Sequence, residues 1–127
     1  MYNHGHYQLD IQNNILIAKF IGAWNFEQTT LYAEKVKTLS LPLHDKSWAR
    51  VVNLSEWEGG GEEVVAPLHQ VHLWSLELNC KIIAFVNPPL LPKYMLEKYG
   101  DPYGDFEIFK DELTAVAWVT EKLKEFD

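Results

Sequence analysis

Hydrophobic and polar residues alternate at the start of the chain. Tyr7, Leu9 and Ile11 are separated by polar residues, which is the period-two pattern of a strand with one face in water. The polar segment 12–14 (QNN) then precedes the apolar run 15–21, and asparagine tolerates the backbone of a tight turn. The pattern predicts an antiparallel hairpin whose first strand lies at the edge of a sheet.

The period of the pattern then becomes that of a helix. Apolar residues recur at spacings of three and four up to Leu39. Asn25 is a candidate N-cap, and Gln28 stands three residues later, where it would complete a capping box. Pro42 ends the helical pattern, and residues 48–54 then predict a third strand.

A second helix and a buried strand are predicted next. The triple glycine 59–61 is followed by a helical pattern that continues to about Asn79. Pro67 is expected in the first turn of this helix, where a missing N–H costs least. The run 82–86 (IIAFV) is apolar at every position, which is typical of a parallel strand covered on both faces.

The last third of the chain predicts one short strand and two helices. The proline-rich segment 87–92 interrupts regular structure, and a short helix is expected at 93–99. A strand is predicted at 106–109, followed by a helix that begins near Asp111. The inward-facing residues of this last helix are expected to be Leu113, Val116, Ala117 and Leu123.

Strands and helices therefore alternate along most of the chain. Such alternation demands a mainly parallel sheet with crossover helices. We predict an α/β fold with a five-stranded sheet, an antiparallel hairpin strand at its N-terminal side and about four helices. No internal repeat or linker-like stretch divides residues 1–127, so a single domain is expected.

The net charge narrows the choice of partners. The chain carries 11 Lys and Arg against 18 Asp and Glu, which gives a formal charge of −7 at pH 7. A negatively charged protein repels the phosphate groups of nucleic acids and of anionic lipids. Nucleic acid and anionic membranes are therefore not expected as partners.

Cysteine use and the termini suggest a compartment. Cys80 is the only cysteine, so an intrachain disulfide is excluded. It precedes an apolar run, which favours a buried structural thiol over a reactive one. Residues 1–6 lack the basic and apolar regions of a signal peptide, and the longest uncharged run, 64–76, is too short to span a membrane. A cytoplasmic location is expected.

Three loops leave the carboxyl ends of the predicted parallel strands, where open α/β sheets bind their ligands. These loops are 22–26, 55–61 and 87–92, and the predicted topology places them at one end of the sheet. The candidate binding residues on them are Trp24, Phe26, Glu56, Trp57, Glu58, Asn87, Leu90 and Leu91.

This apolar, acid-rimmed set suits a protein partner anchored by aromatic contacts, or a small apolar or cationic molecule. An alternative is that Trp24 and Trp57 close the core, because tryptophan is mostly buried in proteins. A small-ligand enzyme using the same cleft is a further alternative, although the chain has no G-x-S-x-G motif. Glu56 and Glu58 are expected to point into water, as a solvated rim rather than a catalytic pair.

Two other patterns favour structural roles over chemical ones. The glycines 59–61 stand where backbone N–H groups bind phosphate, but Glu62 and Glu63 follow them and would repel it. His69 and His72 are three residues apart on one helical face, a spacing that also arises by chance. No cofactor and no metal ion is therefore expected.

Two short segments carry a resemblance to a known family. The segment 53–59 (NLSEWEG) and the pattern F-x5-A-x2-W-V at 109–119 resemble the SpoIIAA-like family, whose fold is that of STAS domains and anti-sigma factor antagonists. The resemblance implies a small stand-alone bacterial protein of a family that usually has no assigned enzymatic activity, with a fold whose understood members act mostly by binding. Such antagonists are switched by phosphorylation of a serine at the start of the second long helix.

The sequence departs from that pattern at the switch. The place of the serine is occupied by residues 59–63 (GGGEE), which contain no hydroxyl group, so the phosphorylation switch is not carried over. We expect a non-enzymatic module that binds a protein partner or a small apolar ligand at the strand ends. Apolar surface near the edge strand or the proline segment is also compatible with a homodimer.

Overall fold

The computed structural model describes residues 5–87 and 106–126, and it confirms the α/β fold. The strands of its sheet are β1 His6–Gln12, β2 Ile15–Ala23, β3 Trp48–Gly59, β4 Cys80–Val86 and β5 Phe106–Phe109. The α-helices are α1 Phe26–Leu39, α2 Glu62–Glu77 and α3 Glu112–Leu123, with short 3₁₀ turns at Leu41–Leu43 and Lys124–Phe126. Spatial and sequence order agree, β1-β2-β3-β4-β5, with β1 antiparallel to β2 and the other neighbours parallel.

The helix count is slightly different from the prediction. About four helices were expected, and the described residues form three α-helices. The segment 93–99, where the additional helix was predicted, lies outside the described residues, as does the proline segment beyond Asn87. Within the described ranges, no helix is long and apolar enough to cross a membrane.

Side-chain caps define where two helices begin. Asn25 Oδ1 accepts a hydrogen bond of 2.8 Å from the backbone N–H of Gln28, so the predicted N-cap is confirmed. The capping box is wrong in its second half, because Gln28 Nε2 donates to the carbonyl oxygen of Gly5 instead. This bond ties the chain just before β1 to the first turn of α1. Asp111 caps α3 in the same way as Asn25 caps α1, by accepting from the N–H of Thr114 at 2.8 Å.

β3 is longer than predicted. It continues to Gly59, whereas the sequence pattern predicts an end at Leu54. The extra residues stay paired with the end of β2, where Gly22 faces Trp57 and Ala23 faces Gly59 across shifts in register. Residues 55–59 are therefore the end of a strand rather than a loop.

Two predictions about the helices are wrong. Pro67 lies in the second turn of α2 rather than the first, so the carbonyl of Glu63 lacks its usual helical donor. On α3, Leu113 is 83% exposed and Ala117 is exposed, although both were expected to face inward. The buried face of α3 consists of Ala115, Val119 and Leu123.

The helices cover the two faces of the sheet differently. α1 and α2 lie on one face, where the core is rich in aromatic residues, among them Phe20, Trp24, Tyr32, Trp48 and Trp57. α3 lies on the other face, over small and aliphatic residues of β2, β3 and β4. The β1 side of that second face remains open to solvent, which creates the cleft described below.

Candidate functional site

The carboxyl ends of β2 and β3 form one end of the sheet. The backbone N–H of Trp24 donates to the carbonyl oxygen of Gly59 at 2.9 Å, which holds the chain leaving β2 against the chain leaving β3. α1 begins two residues after Trp24, and α2 begins three residues after Gly59. The structure therefore brings the two predicted segments together at one end of the sheet.

Both predicted tryptophans are buried at this end. Trp24 is 4% exposed and Trp57 is 7% exposed. Trp24 stacks on Phe20 with a ring-centroid distance of 4.2 Å, and the Trp57 ring meets both edge-on, at 5.4 Å from Phe20 and 6.0 Å from Trp24. Tyr32 of α1 packs edge-on against Trp24 at 5.4 Å. This placement favours the alternative in which the tryptophans close the core.

The two indole N–H groups differ in their partners. Trp24 Nε1 donates to the carbonyl oxygen of Ile21 at 3.2 Å. Trp57 Nε1 is buried and has no hydrogen-bond partner among the residues that the structure describes. An unpaired buried donor carries a desolvation cost of about 1–3 kcal/mol.

The exposed side chains of the same end include one phenylalanine and several acids. Phe26, the first residue of α1, is 55% exposed. Glu58 at the end of β3 and Glu62 and Glu63 in the first turn of α2 are also exposed. We call Phe26, Glu58, Glu62 and Glu63 the strand-end surface.

The glycine loop in this region is explained by packing at one position. A Cβ on Gly60 would lie 2.6 Å from Val64 Cγ2 and 2.9 Å from the carbonyl oxygen of Trp24. A larger residue would therefore force α2 away from the end of β2. Because Glu62 and Glu63 already complement the positive end of α2, the loop does not need a bound anion to explain it.

Glu56 points to the other side of the strand end and is paired. Its Oε2 lies 2.6 Å from Lys19 Nζ on β2. The hydrogen bond and the charge of Glu56, with a smaller contribution from Glu112, raise the pKa of Lys19 above its usual 10.5. Sequence reasoning missed Lys19, although a lone lysine within the apolar run of β2 was a visible signal.

A polar cluster on the α3 side of the sheet was also missed. Asn53 Oδ1 accepts from the backbone N–H and the hydroxyl of Ser55, at 3.0 and 2.7 Å, and Asn53 Nδ2 donates to Glu112 Oε1 at 3.2 Å. These bonds join the end of β3 to the start of α3. They border a cleft of about 380 Å³ on the open part of the sheet, lined by Gln8, Leu9, Asp10, Gln12, Ile17, Lys19, Asn53 and Glu112.

The third predicted loop is described only at its start. Asn87 is exposed, has a φ of 45° and donates its backbone N–H to the carbonyl oxygen of Phe109 at 2.7 Å. Asparagine tolerates this left-handed backbone better than most residues. Leu90 and Leu91 lie outside the described residues.

Several groups that could carry chemistry are built into the core instead. Arg50 of β3 is 4% exposed, and its guanidinium lies 2.9 Å from Tyr32 Oη and 3.2 Å from His72 Nδ1. Since an arginine only donates, His72 accepts at Nδ1 in this hydrogen bond. Cys80 is buried as predicted, and this burial raises the pKa of its thiol to about 12.

No cation site is assembled by the described residues. Within 5–87 and 106–126, no group of three or more His, Cys, Asp and Glu side chains could hold a metal ion. His72 points into the core toward Arg50, while His69, on the same helix, is half-buried. Within the described residues, the two histidines are therefore not joined by a third side chain that could complete a metal site.

The comparison with known proteins identifies the fold. No protein-family model matches the chain, and no curated protein matches it. Among solved structures, a DUF3478-family protein with a SpoIIAA-like fold from Shewanella loihica PV-4 is similar over 94% of this chain and 98% of its own, with a TM-score of 0.73 and 14% identity. The anti-sigma factor antagonist SpoIIAA in its unphosphorylated form is similar over 90% of this chain and 97% of its own, with a TM-score of 0.69 and 13% identity. The chain therefore has the SpoIIAA-like fold that its sequence motifs implied.

Proposed function

We propose that the protein is a non-enzymatic binding module that takes a basic segment of a partner protein on its strand-end surface. The observation that carries this proposal is the difference in exposure at the strand ends. Trp24 and Trp57 are buried there, while Phe26 and three carboxylates face solvent. An exposed aromatic ring at the same end of the sheet as three exposed carboxylates suits a partner that supplies both an apolar contact and positive charge.

The charges at this end support a basic partner. None of Glu58, Glu62 and Glu63 forms an ion pair within the described residues. Lys19, the nearby cation, is already bound to Glu56. Because the chain also carries a net charge of −7, a basic partner is attracted over a long distance and an acidic one is repelled.

Burial of the tryptophans weighs against the two alternatives. A small apolar ligand needs aromatic walls around a concave pocket, but Trp24 and Trp57 are packed against Phe20 and Tyr32. General acid–base catalysis needs a carboxyl group held out of water beside such a pocket, whereas Glu56 and Glu58 are exposed. The fold adds support, since one protein that shares it is described as an anti-sigma factor antagonist.

The proposal is tested by titrating the isotope-labelled protein with a pair of synthetic peptides and recording backbone amide shifts by NMR. One peptide carries a leucine flanked by four lysines, and in its counterpart glutamates replace the lysines. We expect the lysine peptide to shift amides at the starts of α1 and α2, with an affinity that falls as salt is added. The glutamate peptide should produce no shifts.

Two matched substitutions sharpen this test. Phe26→Ser should weaken binding of the lysine peptide at least about fivefold, because it removes the aromatic contact. Leu31→Ser is the control, since Leu31 is also exposed on α1 but lies more than one turn away. Equal effects of the two substitutions, or shifts that fall outside the strand-end surface, would refute the proposal.

A further inference from the structure

β1 is an edge strand of the described sheet, and its outer edge has no neighbouring strand among the described residues. β1 pairs with β2 over seven consecutive residues without a shift in register, in contrast to the β2–β3 and β3–β4 pairs. It contains no proline and no lysine, the residues that commonly protect sheet edges. Such an edge is a template for another strand.

The hairpin determines which backbone groups face outward. Gln12 and Ile15 flank a two-residue turn, so they form a hydrogen-bonded pair. Because the bonding direction alternates along a strand, the N–H and C=O groups of Tyr7, Leu9 and Ile11 point away from β2. These six groups have no strand partner within the described residues.

We propose that a second copy of this chain pairs with β1 antiparallel, with the two-fold axis at Leu9. In this register each copy places Leu9 opposite Leu9 and Tyr7 opposite Ile11, so all six outward backbone groups of each copy are satisfied. The two sheets join into one continuous sheet of ten strands. This proposal does not rest on the function proposed above, since the strand-end surface is a different part of the molecule.

The side chains of β1 are complementary in this register. Tyr7 and Leu9 pack against the core on the side of α1, while Ile11 is 36% exposed for lack of a neighbour. Pairing places the Tyr7 ring of the other copy across from Ile11 and covers it.

The polar side chains on the other face of β1 are also compatible with this register. Gln8 and Asp10 are exposed on the opposite side of β1, and the two-fold axis sets each Asp10 across from a glutamine rather than from another carboxylate. The charge on Asp10 is therefore compatible with self-pairing, whereas a register centred on Asp10 itself would oppose two carboxylates.

Sedimentation velocity over a concentration series of the full chain tests the proposal. We expect a species of twice the chain mass. Gln8→Glu should raise the dimer dissociation constant about tenfold, because it opposes two carboxylates at both symmetric positions. Gln8→Lys should lower the dissociation constant, because each new ammonium group faces Asp10 of the other copy.

The chain offers controls for charge and for folding. Gln8 faces Lys19 within its own chain, so Gln8→Glu gains an attractive contact there and keeps the monomer folded. Gln70→Glu makes the same change in net charge on an exposed position of α2 and should leave the dissociation constant unchanged. Ile11→Pro removes an outward N–H without removing a β1–β2 hydrogen bond, and it should also dissociate the dimer.

Amide hydrogen exchange places the interface. The amides of Tyr7, Leu9 and Ile11 should exchange slowly at high protein concentration and quickly on dilution. A chain that stays monomeric throughout the series, or a dimer that responds equally to Gln8→Glu and Gln70→Glu, would overturn the proposal. Slow exchange of these amides in a monomer with a co-purified peptide would overturn it too, because the edge would then belong to that peptide.

Discussion

The two faces of the sheet are covered by different types of residue. On the side of α1 and α2, aromatic rings surround a buried polar group in which Arg50 contacts Tyr32 and His72. On the side of α3, the packed residues are small and aliphatic, and the polar side chains near β1 lie in an open cleft. The comparison shows that Arg50 and His72, whose side chains could take part in catalysis or ligand binding, lie instead within the core. The proposed binding surface is the strand-end surface around Phe26.

Replacement of Trp57 should give the largest effect. Trp57→Ala is expected to lower the free energy of unfolding by about 4 kcal/mol, because it leaves a cavity between Phe20 and Trp24. The measurement is urea denaturation followed by circular dichroism. Phe26→Ala is the matched control and should change the stability by no more than about 0.5 kcal/mol, since Phe26 is mostly exposed. Similar losses for the two variants would place Trp57 on the surface.

Replacement of Arg50 tests the buried polar group that Arg50 forms with Tyr32 and His72. Arg50→Met is expected to lower the free energy of unfolding by about 3 kcal/mol, because it deprives Tyr32 Oη and His72 Nδ1 of their donor inside the core. Thermal unfolding measures the change. In a protein that already carries Tyr32→Phe, Arg50→Met should lower the free energy of unfolding by less, because the Tyr32 hydroxyl that would lose its donor is then absent. Strict additivity of the two substitutions would contradict a shared network.

A substitution on the aliphatic face provides the contrast. Val119→Ala should lower the free energy of unfolding by about 2 kcal/mol through lost packing against the sheet. Val116→Ala, at a half-buried position one turn earlier, should cost less. Chemical denaturation of the two variants measures the difference, and a larger loss for Val116→Ala would mean that α3 is rotated relative to the face described here.

The ion pair on the open cleft should give the smallest effect. Because the pKa of Lys19 is raised above its usual 10.5 in the folded protein, the pair stabilises the fold fully below pH 10.5. That stabilisation is lost as the pH rises through the raised pKa. The difference in the free energy of unfolding between the wild type and Glu56→Gln should therefore stay constant up to about pH 10.5 and shrink above it, as denaturation at a series of pH values would show. A constant difference would show that Glu56 acts through something other than the charge of Lys19.

Local patterns were sufficient for most of the fold. The alternation of 7–11 and the asparagines of the turn predicted the hairpin, and Asn25 predicted the start of α1. The short strand 106–109 was predicted with its observed bounds. In each case the signal lies within a few residues, so no knowledge of the tertiary structure was needed.

The errors depend on tertiary contacts. The end of β3 at Gly59 depends on its irregular register with β2, which determines that Trp57 points inward. On α3, Leu113 was predicted to face inward and Ala115 was not, but successive helical residues are 100° apart, so the two lie on opposite sides and only Ala115 is buried. The alanine faces the sheet because the helix packs closely there. Lys19, Asn53 and Glu112 meet only after β2, β3 and α3 have assembled.

The burial of Trp57 is the central claim of this account. Fluorine NMR of the protein labelled with 5-fluorotryptophan, with each signal assigned by substitution, measures the accessibility of each indole through its shift between H2O and D2O. The account predicts almost no solvent shift for Trp57 and Trp24, which are 7% and 4% exposed. A solvent shift for Trp57 as large as that of free fluorotryptophan would contradict it and would move this ring from the core to the binding surface.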